Sequence, residues 1–187
     1  DQVERRLGLG RFQKIEYAPA GPLAHCYWNV DHVVRSNGGS AVYGWLILYW
    51  PGLYVEALHH AVWRPPAGAL VDVTEKYPTD DVPGSTFVPD DSEVVNLHAP
   101  TFIPSRFVVL SGAPEVSELL KVCRDQLDHR RAMTARLLKL DGVRWKPGVG
   151  LVASGQVTPE MQRELEAAER HARRVSSCLE ACARLRS

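Results

Sequence analysis

Long apolar runs and a charge excess of either sign are both missing from this sequence. The longest apolar run spans residues 45–50, well short of the roughly 18 residues that a membrane helix needs. Lys plus Arg and Asp plus Glu both total 22. No net basic field therefore attracts nucleic acid or an anionic lipid surface. We expect no nucleic acid and no membrane among the partners of this chain.

Cysteine is also scarce, and the chain carries four: Cys26, Cys123, Cys178 and Cys182. Their spacing fits neither a zinc ribbon nor a small disulfide scaffold, so a reduced, cytoplasmic protein is the simplest interpretation. Two disulfides stay open as an alternative because four is even. No signal peptide is visible, but the first residue is Asp1 rather than Met. A secreted effector whose targeting segment was trimmed is therefore the alternative location.

What is present is typical of a folded protein. Hydrophobic residues make up 45% and charged residues 24% of 187 residues, which suits one domain with an appendage. We predict an α+β core over residues 1–110 and a C-terminal helical hairpin over residues 111–187.

The predicted core begins with a helix over residues 23–36. Its apolar side chains recur at helical spacing, and Asn37-Gly38-Gly39 ends it. Two strands, 41–50 and 53–63, are joined by a Pro-Gly turn, and a third follows at 70–74. This pattern predicts an antiparallel sheet covered by the helix. Residues 75–105 read as a surface excursion, with short strands near Phe87 and at 94–97.

The predicted hairpin has two long helices. The first covers residues 111–140, and residues 143–157 read as irregular. Thr158-Pro159-Glu160 then gives an N-cap, a proline in the first turn and an early acid. Apolar and small residues alternate spacings of four and three along the last helix. This stripe predicts packing on the first helix, with a homodimer through residues 159–185 as the alternative.

Three residues are the best candidates for chemistry: Cys26, His60 and Asp72. A helix N-terminus favours a thiolate over a thiol, and Cys26 lies near the start of the first predicted helix. His60 and Asp72 fall on neighbouring predicted strands, close enough for the carboxylate to orient the imidazole. Such an arrangement supplies a nucleophile, a base and an orienting group.

The segments around these residues resemble the transglutaminase-like branch of the papain-like cysteine enzyme superfamily, over residues 22–75. They are Cys26-Tyr-Trp-Asn-Val30, the Gly-rich link 35–44, His60-Ala-Val-Trp63 and Leu70-Val-Asp-Val-Thr74. The resemblance implies a protease, deamidase or transglutaminase that acts through a thioester on a protein or peptide. We expect no cofactor and no metal. The backbone N–H of Cys26 with Trp28 or Trp45 are candidate oxyanion donors.

Other interpretations compete with this one. Cys26 is alternatively a buried core residue, because free cysteine is among the most buried residue types. His59 is a second candidate base, and strand alternation predicts that one of His59 and His60 faces solvent. A metal site is a further option, drawn from His25, Cys26, His59, His60 and His98. A non-catalytic interaction module that uses the heptad helix is the alternative function.

Overall fold

The protein folds into helices and a curved sheet, in a computed structural model that describes residues 2–76 and 84–185. The α+β class predicted from the sequence is confirmed. In chain order the elements are α1 (Gln2–Leu7), β1 (Gln13–Gly21), α2 (Cys26–Asn37), β2 (Ser40–Trp50), β3 (Tyr54–Arg64), β4 (Val71–Thr74), β5 (Ser85–Pro89), β6 (Arg106–Val109), α3 (Pro114–Leu137), β7 (Val143–Lys146), β8 (Gly150–Ala153) and α4 (Pro159–Arg184).

The chain divides into two compact units. The first comprises residues 1–50, 55–97 and 105–108, and the second comprises residues 51–54, 98–104 and 109–187. The β-sheet core and all of the candidate catalytic residues belong to the first unit. The predicted boundary between residues 110 and 111 stays a prediction.

The sheet of the first unit closes into a ring. Its strand order is β2-β5-β1-β4-β3-β6, and β2 also pairs with β3. Five strands therefore form a closed circuit, and β6 pairs with β3 outside it. The β1 strand runs parallel to β4, with Tyr17 opposite Asp72. The sequence pattern predicted an antiparallel sheet from the consecutive strands β2, β3 and β4. This parallel pair departs from it because β1 inserts between β4 and β5.

Side chains of the ring alternate between two apolar clusters. Inside, Ile15, Val62 and Phe87 pack together from three different strands. Outside, residues of α2 pack on the outer face of β3 and β4; this cluster comprises Val30, Val33, Ala61, Val71 and Val73. Because successive strand residues point to opposite faces, Val62 of β3 faces the interior and Ala61 faces α2.

The second unit contains the predicted helical hairpin. Arg136 donates two hydrogen bonds to Glu164, at 2.6 and 2.8 Å, and so ties α3 to α4. The Thr158 hydroxyl accepts from the Met161 backbone N–H at 3.2 Å and caps α4. None of the helices within residues 2–76 and 84–185 has the length and apolar character needed to cross a bilayer.

Two loop predictions differ from the structure. Residues 143–157, predicted as irregular, contain the hairpin of β7 and β8, in which Trp145 lies opposite Leu151. Each strand has only four residues, too few for a clear period of two. The strand predicted near Phe87 is β5, whereas residues 94–97 form no strand. Residues 77–83 of the predicted excursion lie outside the described residues.

Candidate active site

The first residue of α2 is Cys26, so the thiol lies at the positive end of the helix dipole. The preceding loop turns sharply to reach this point. Ala24 has φ = +65° and is the one non-glycine residue with positive φ among those that the structure describes. The left-handed conformation redirects the chain within two residues of the nucleophile. Cys26 itself is half-buried, a position that a buried core residue would not take.

His60 and Asp72 meet inside the ring of strands. Trp63 lies opposite Val71 in the antiparallel pair of β3 and β4, which makes His60 and Asp72 diagonal neighbours on the inner face. The His60 Nε2–H donates to Asp72 Oδ1 at 2.9 Å. His60 is 5% exposed and Asp72 1% exposed. The pair is thus shielded from bulk water.

The Asp72 carboxylate is held by two further donors. Ser85 Oγ donates to Oδ2 at 2.7 Å, and the Thr74 backbone N–H donates to Oδ1 at 3.2 Å. Burial alone would raise the pKa of Asp72, but the bond from His60 and these two donors outweigh it and lower the pKa. Asp72 therefore stays an anion and fixes the orientation of the His60 ring.

The Cys26 thiol lies beside the His60 ring and raises its pKa. Since Nε2 binds Asp72, the ring nitrogen that remains for the thiol is Nδ1. Burial would lower the pKa of His60, yet the interactions with Asp72 and Cys26 outweigh that effect and raise it to about 10. The structure thus brings all three predicted residues together in the order thiol, imidazole, carboxylate.

His59 occupies a different environment, on the α2 side of β3. Its Nδ1 lies 2.7 Å from the Tyr27 hydroxyl, and its ring meets the Trp45 ring edge-on with centroids 5.1 Å apart. The alternation argument placed one of the two histidines in solvent, but His59 is only 5% exposed. The prediction is wrong because α2 and Trp45 cover the outer face of the strand. Burial lowers the pKa of His59 to about 4.

The two tryptophans considered as oxyanion donors have other contacts. Trp45 Nε1–H donates to Asp90 Oδ2 at 2.7 Å, and the Arg106 guanidinium stacks on the Trp45 ring. This bond commits the Trp45 indole N–H elsewhere. Trp28 packs against His25, with ring centroids 5.5 Å apart. The backbone N–H of Cys26, at the first helical position, and the Trp28 indole N–H both stay candidate donors from α2.

The side chains that the structure describes support neither a metal site nor a disulfide. Among the residues that the structure describes, no three His, Cys, Asp or Glu side chains converge as metal ligands. The four cysteines are free thiols. The Nε2 of His60 is bonded to Asp72 Oδ1 instead.

Sequence reasoning missed Ser85. It lies opposite Ile15 on β1, while Asp72 lies opposite Tyr17 on the other edge of the same strand. Two strand spacings, about 10 Å, separate β4 from β5 along a flat sheet. The inner side chains converge because the ring is curved, and Ser85 reaches Asp72. No motif around Ser85 signals this contact.

No known family model, no curated protein sequence and no solved structure matches this chain.

Proposed function

We propose that this protein is a cysteine-dependent amide hydrolase or acyl transferase, related to the transglutaminase-like branch of the papain-like enzymes. The observation that supports the proposal most is the position of the His60 ring. It lies between the Cys26 thiol and the Asp72 carboxylate, which is 2.9 Å from Nε2. A buried ion pair contributes little net stability. The Asp72 carboxylate with its three donors is therefore best explained by a role in orienting the His60 imidazole.

The first half of the proposed reaction forms an acyl-enzyme. Cys26 Sγ attacks the carbonyl carbon of an amide, and a C–S bond forms while the carbonyl oxygen becomes an oxyanion. The backbone N–H of Cys26 faces that charge at the helix N-terminus. His60 transfers its Nδ1 proton to the leaving nitrogen as the C–N bond breaks. An amine or ammonia leaves, and a thioester remains.

The second half releases the acyl group. His60 Nδ1 takes a proton from the acceptor as the acceptor attacks the thioester carbonyl, and the C–S bond breaks to regenerate the thiolate. Water gives a carboxylic acid, as in a protease or deamidase. A primary amine gives a new amide, as in a transglutaminase. The substrate that fits both outcomes is a protein or a peptide.

The test is capture of the thioester. The protein is incubated with a mixture of peptides that carry Gln side chains, quenched in acid and analysed by intact mass, with hydroxylamine to release thioesters. We expect hydroxylamine-sensitive adducts on Cys26, absent from Cys26→Ala and His60→Ala. Cys123→Ala is the matched control, since Cys123 is another half-buried free thiol. Adducts that persist in Cys26→Ala would overturn the proposal.

The competing proposal is an interaction module that dimerises through residues 159–185. The observation in its favour is Leu165, a member of the heptad stripe that is 48% exposed. Sedimentation velocity over a concentration series tests it. A dimer that Leu165→Glu dissociates would support this proposal. A monomer at all concentrations would exclude the homodimer.

A further inference from the structure

We infer that Asn29 is a positioning residue, which sets the Cys26 thiol against His60 by tying the nucleophile helix to the strand that carries Asp72. The inference rests on the proposed function, because it concerns the reactivity of the same thiol. It assigns a role to a buried polar side chain that the proposed chemistry does not itself use.

Asn29 lies three residues after Cys26 on α2, one helical turn further and on the same face. Its side chain is buried, with 7% of the residue exposed. The Nδ2 group donates to the Pro22 carbonyl at 2.8 Å and to Thr74 Oγ1 at 3.1 Å. Both amide protons are therefore used, each by a different part of the chain.

The contact with Thr74 leads directly to the catalytic pair. The Thr74 backbone N–H donates to Asp72 Oδ1, and the same oxygen accepts from His60 Nε2. A continuous series of hydrogen bonds thus runs from α2 through Asn29, Thr74 and Asp72 to His60. Since Cys26 lies on α2, this series of hydrogen bonds fixes the position of the Cys26 thiol relative to the His60 imidazole.

The contact with Pro22 fixes the other side of the nucleophile. Pro22 begins the short loop that leads through Ala24 to Cys26, so Asn29 holds the loop before the thiol and the helix after it. Gly21 shows how closely this is fitted. A Cβ added at Gly21 would lie 2.3 Å from Asn29 Oδ1, so any larger residue at position 21 would displace the Asn29 side chain.

A positioning role for Asn29 predicts a result that a purely stabilising role does not. A misplacement of about 1 Å at a reacting group reduces its rate up to about 100-fold. Removing Asn29 should therefore slow Cys26 only where His60 is present to be misaligned. A merely structural role would lower stability without this dependence on His60.

The experiment is a double-mutant cycle of Asn29→Ala and His60→Ala. The readout is the rate of Cys26 alkylation by iodoacetamide at pH 6.5, followed by peptide mass spectrometry at a temperature where each variant is folded by circular dichroism. We expect Asn29→Ala to slow alkylation about 10-fold and to have no further effect in the His60→Ala background. Equal effects in both backgrounds would overturn the inference.

Further variants keep the test decisive if Asn29→Ala does not fold. Thr74→Val keeps the shape of the side chain and removes the hydroxyl that accepts from Asn29, so it should slow alkylation more than Thr74→Ser does. Asn37→Ala, at the exposed end of the same helix, is the matched control and should match the native rate. Equal rates for the two Thr74 variants would contradict the inference.

An unchanged alkylation rate in His60→Ala alone would contradict the proposed function instead. The two failures are therefore distinguished.

Discussion

His59 and His60 are consecutive on β3 and both are buried, yet their partners shift the two pKa values in opposite directions. His60 has the Asp72 carboxylate 2.9 Å from Nε2, and its pKa is raised to about 10. His59 has the neutral Tyr27 hydroxyl 2.7 Å from Nδ1, and its pKa is lowered to about 4. The two shifts favour the charged form of His60 and the neutral form of His59. This difference favours His60 over His59 as the acid–base residue of the proposed reaction.

His60 should control the reactivity of Cys26. We expect Cys26 in the native protein to react with iodoacetamide at pH 6.5 about 10-fold faster than in His60→Ala, because a cationic imidazole stabilises the thiolate. Peptide mass spectrometry after timed quenching measures both rates. Cys123 serves as an internal reference in each digest and should react equally in the two proteins. Equal Cys26 rates would contradict the prediction.

Asp72 should control the charge of His60. Asp72→Asn replaces the anion by a neutral amide of the same shape, so we expect the pKa of His60 to fall. We also expect the free energy of unfolding to drop by about 3 kcal/mol, the range for breaking a buried ion pair. A ¹H–¹⁵N titration of the imidazole nitrogens measures the first effect and urea unfolding the second. An unchanged His60 titration would show that the carboxylate does not hold the charge.

Ser85 should matter through Asp72 alone. Ser85→Ala removes the donor to Oδ2 and leaves a buried carboxylate oxygen unpaired, which costs about 1–3 kcal/mol. The pKa of Asp72 should rise towards its ordinary value. Urea unfolding at pH 7 compares this variant with Ser36→Ala, a serine on the exposed face of α2. If both variants lose equally little stability, the contact of Ser85 with Asp72 does not contribute to the free energy of unfolding.

The neutral His59 should make the fold sensitive to acid. Its folded pKa of about 4 lies below the ordinary 6.5, so the unfolded chain binds more protons between these two values. The free energy of unfolding therefore falls as the pH falls from 6.5 to 4. His60 acts oppositely, since its stabilisation is full below 6.5 and is lost as the pH rises towards 10.

Urea unfolding of the native protein and His59→Phe, at steps between pH 7 and pH 4, separates the His59 effect. The variant lacks the titrating ring, so its stability should decline less over that interval. Parallel curves for the two proteins would mean that other groups account for the acid sensitivity.

Local pattern was enough to bring Cys26, His60 and Asp72 into one hypothesis. The start of a helix is visible from Pro22 and the apolar stripe that follows, and strand alternation relates His60 to Asp72 across a short turn. These relationships depend on neighbours in the chain, which a single sequence encodes well.

Contacts that depend on strand order could not be predicted from the sequence. Ser85 meets Asp72 only because β1 inserts between β4 and β5 and the ring closes through β2 and β3. Alternation alone could not foresee the burial of His59, because what covers the outer face is a helix placed by tertiary packing. Long-range topology, rather than local propensity, decided both cases.

Ala24 lends the site a stiffness that glycine would not. Its left-handed conformation, φ = +65°, costs about 1 kcal/mol for a residue with a Cβ. Glycine would relieve that strain but would gain about as much freedom in the unfolded chain, so the two residues should give similar stability. A methyl group at position 24 restricts the backbone conformations of the loop before Cys26. It therefore limits the directions from which the thiol can approach His60.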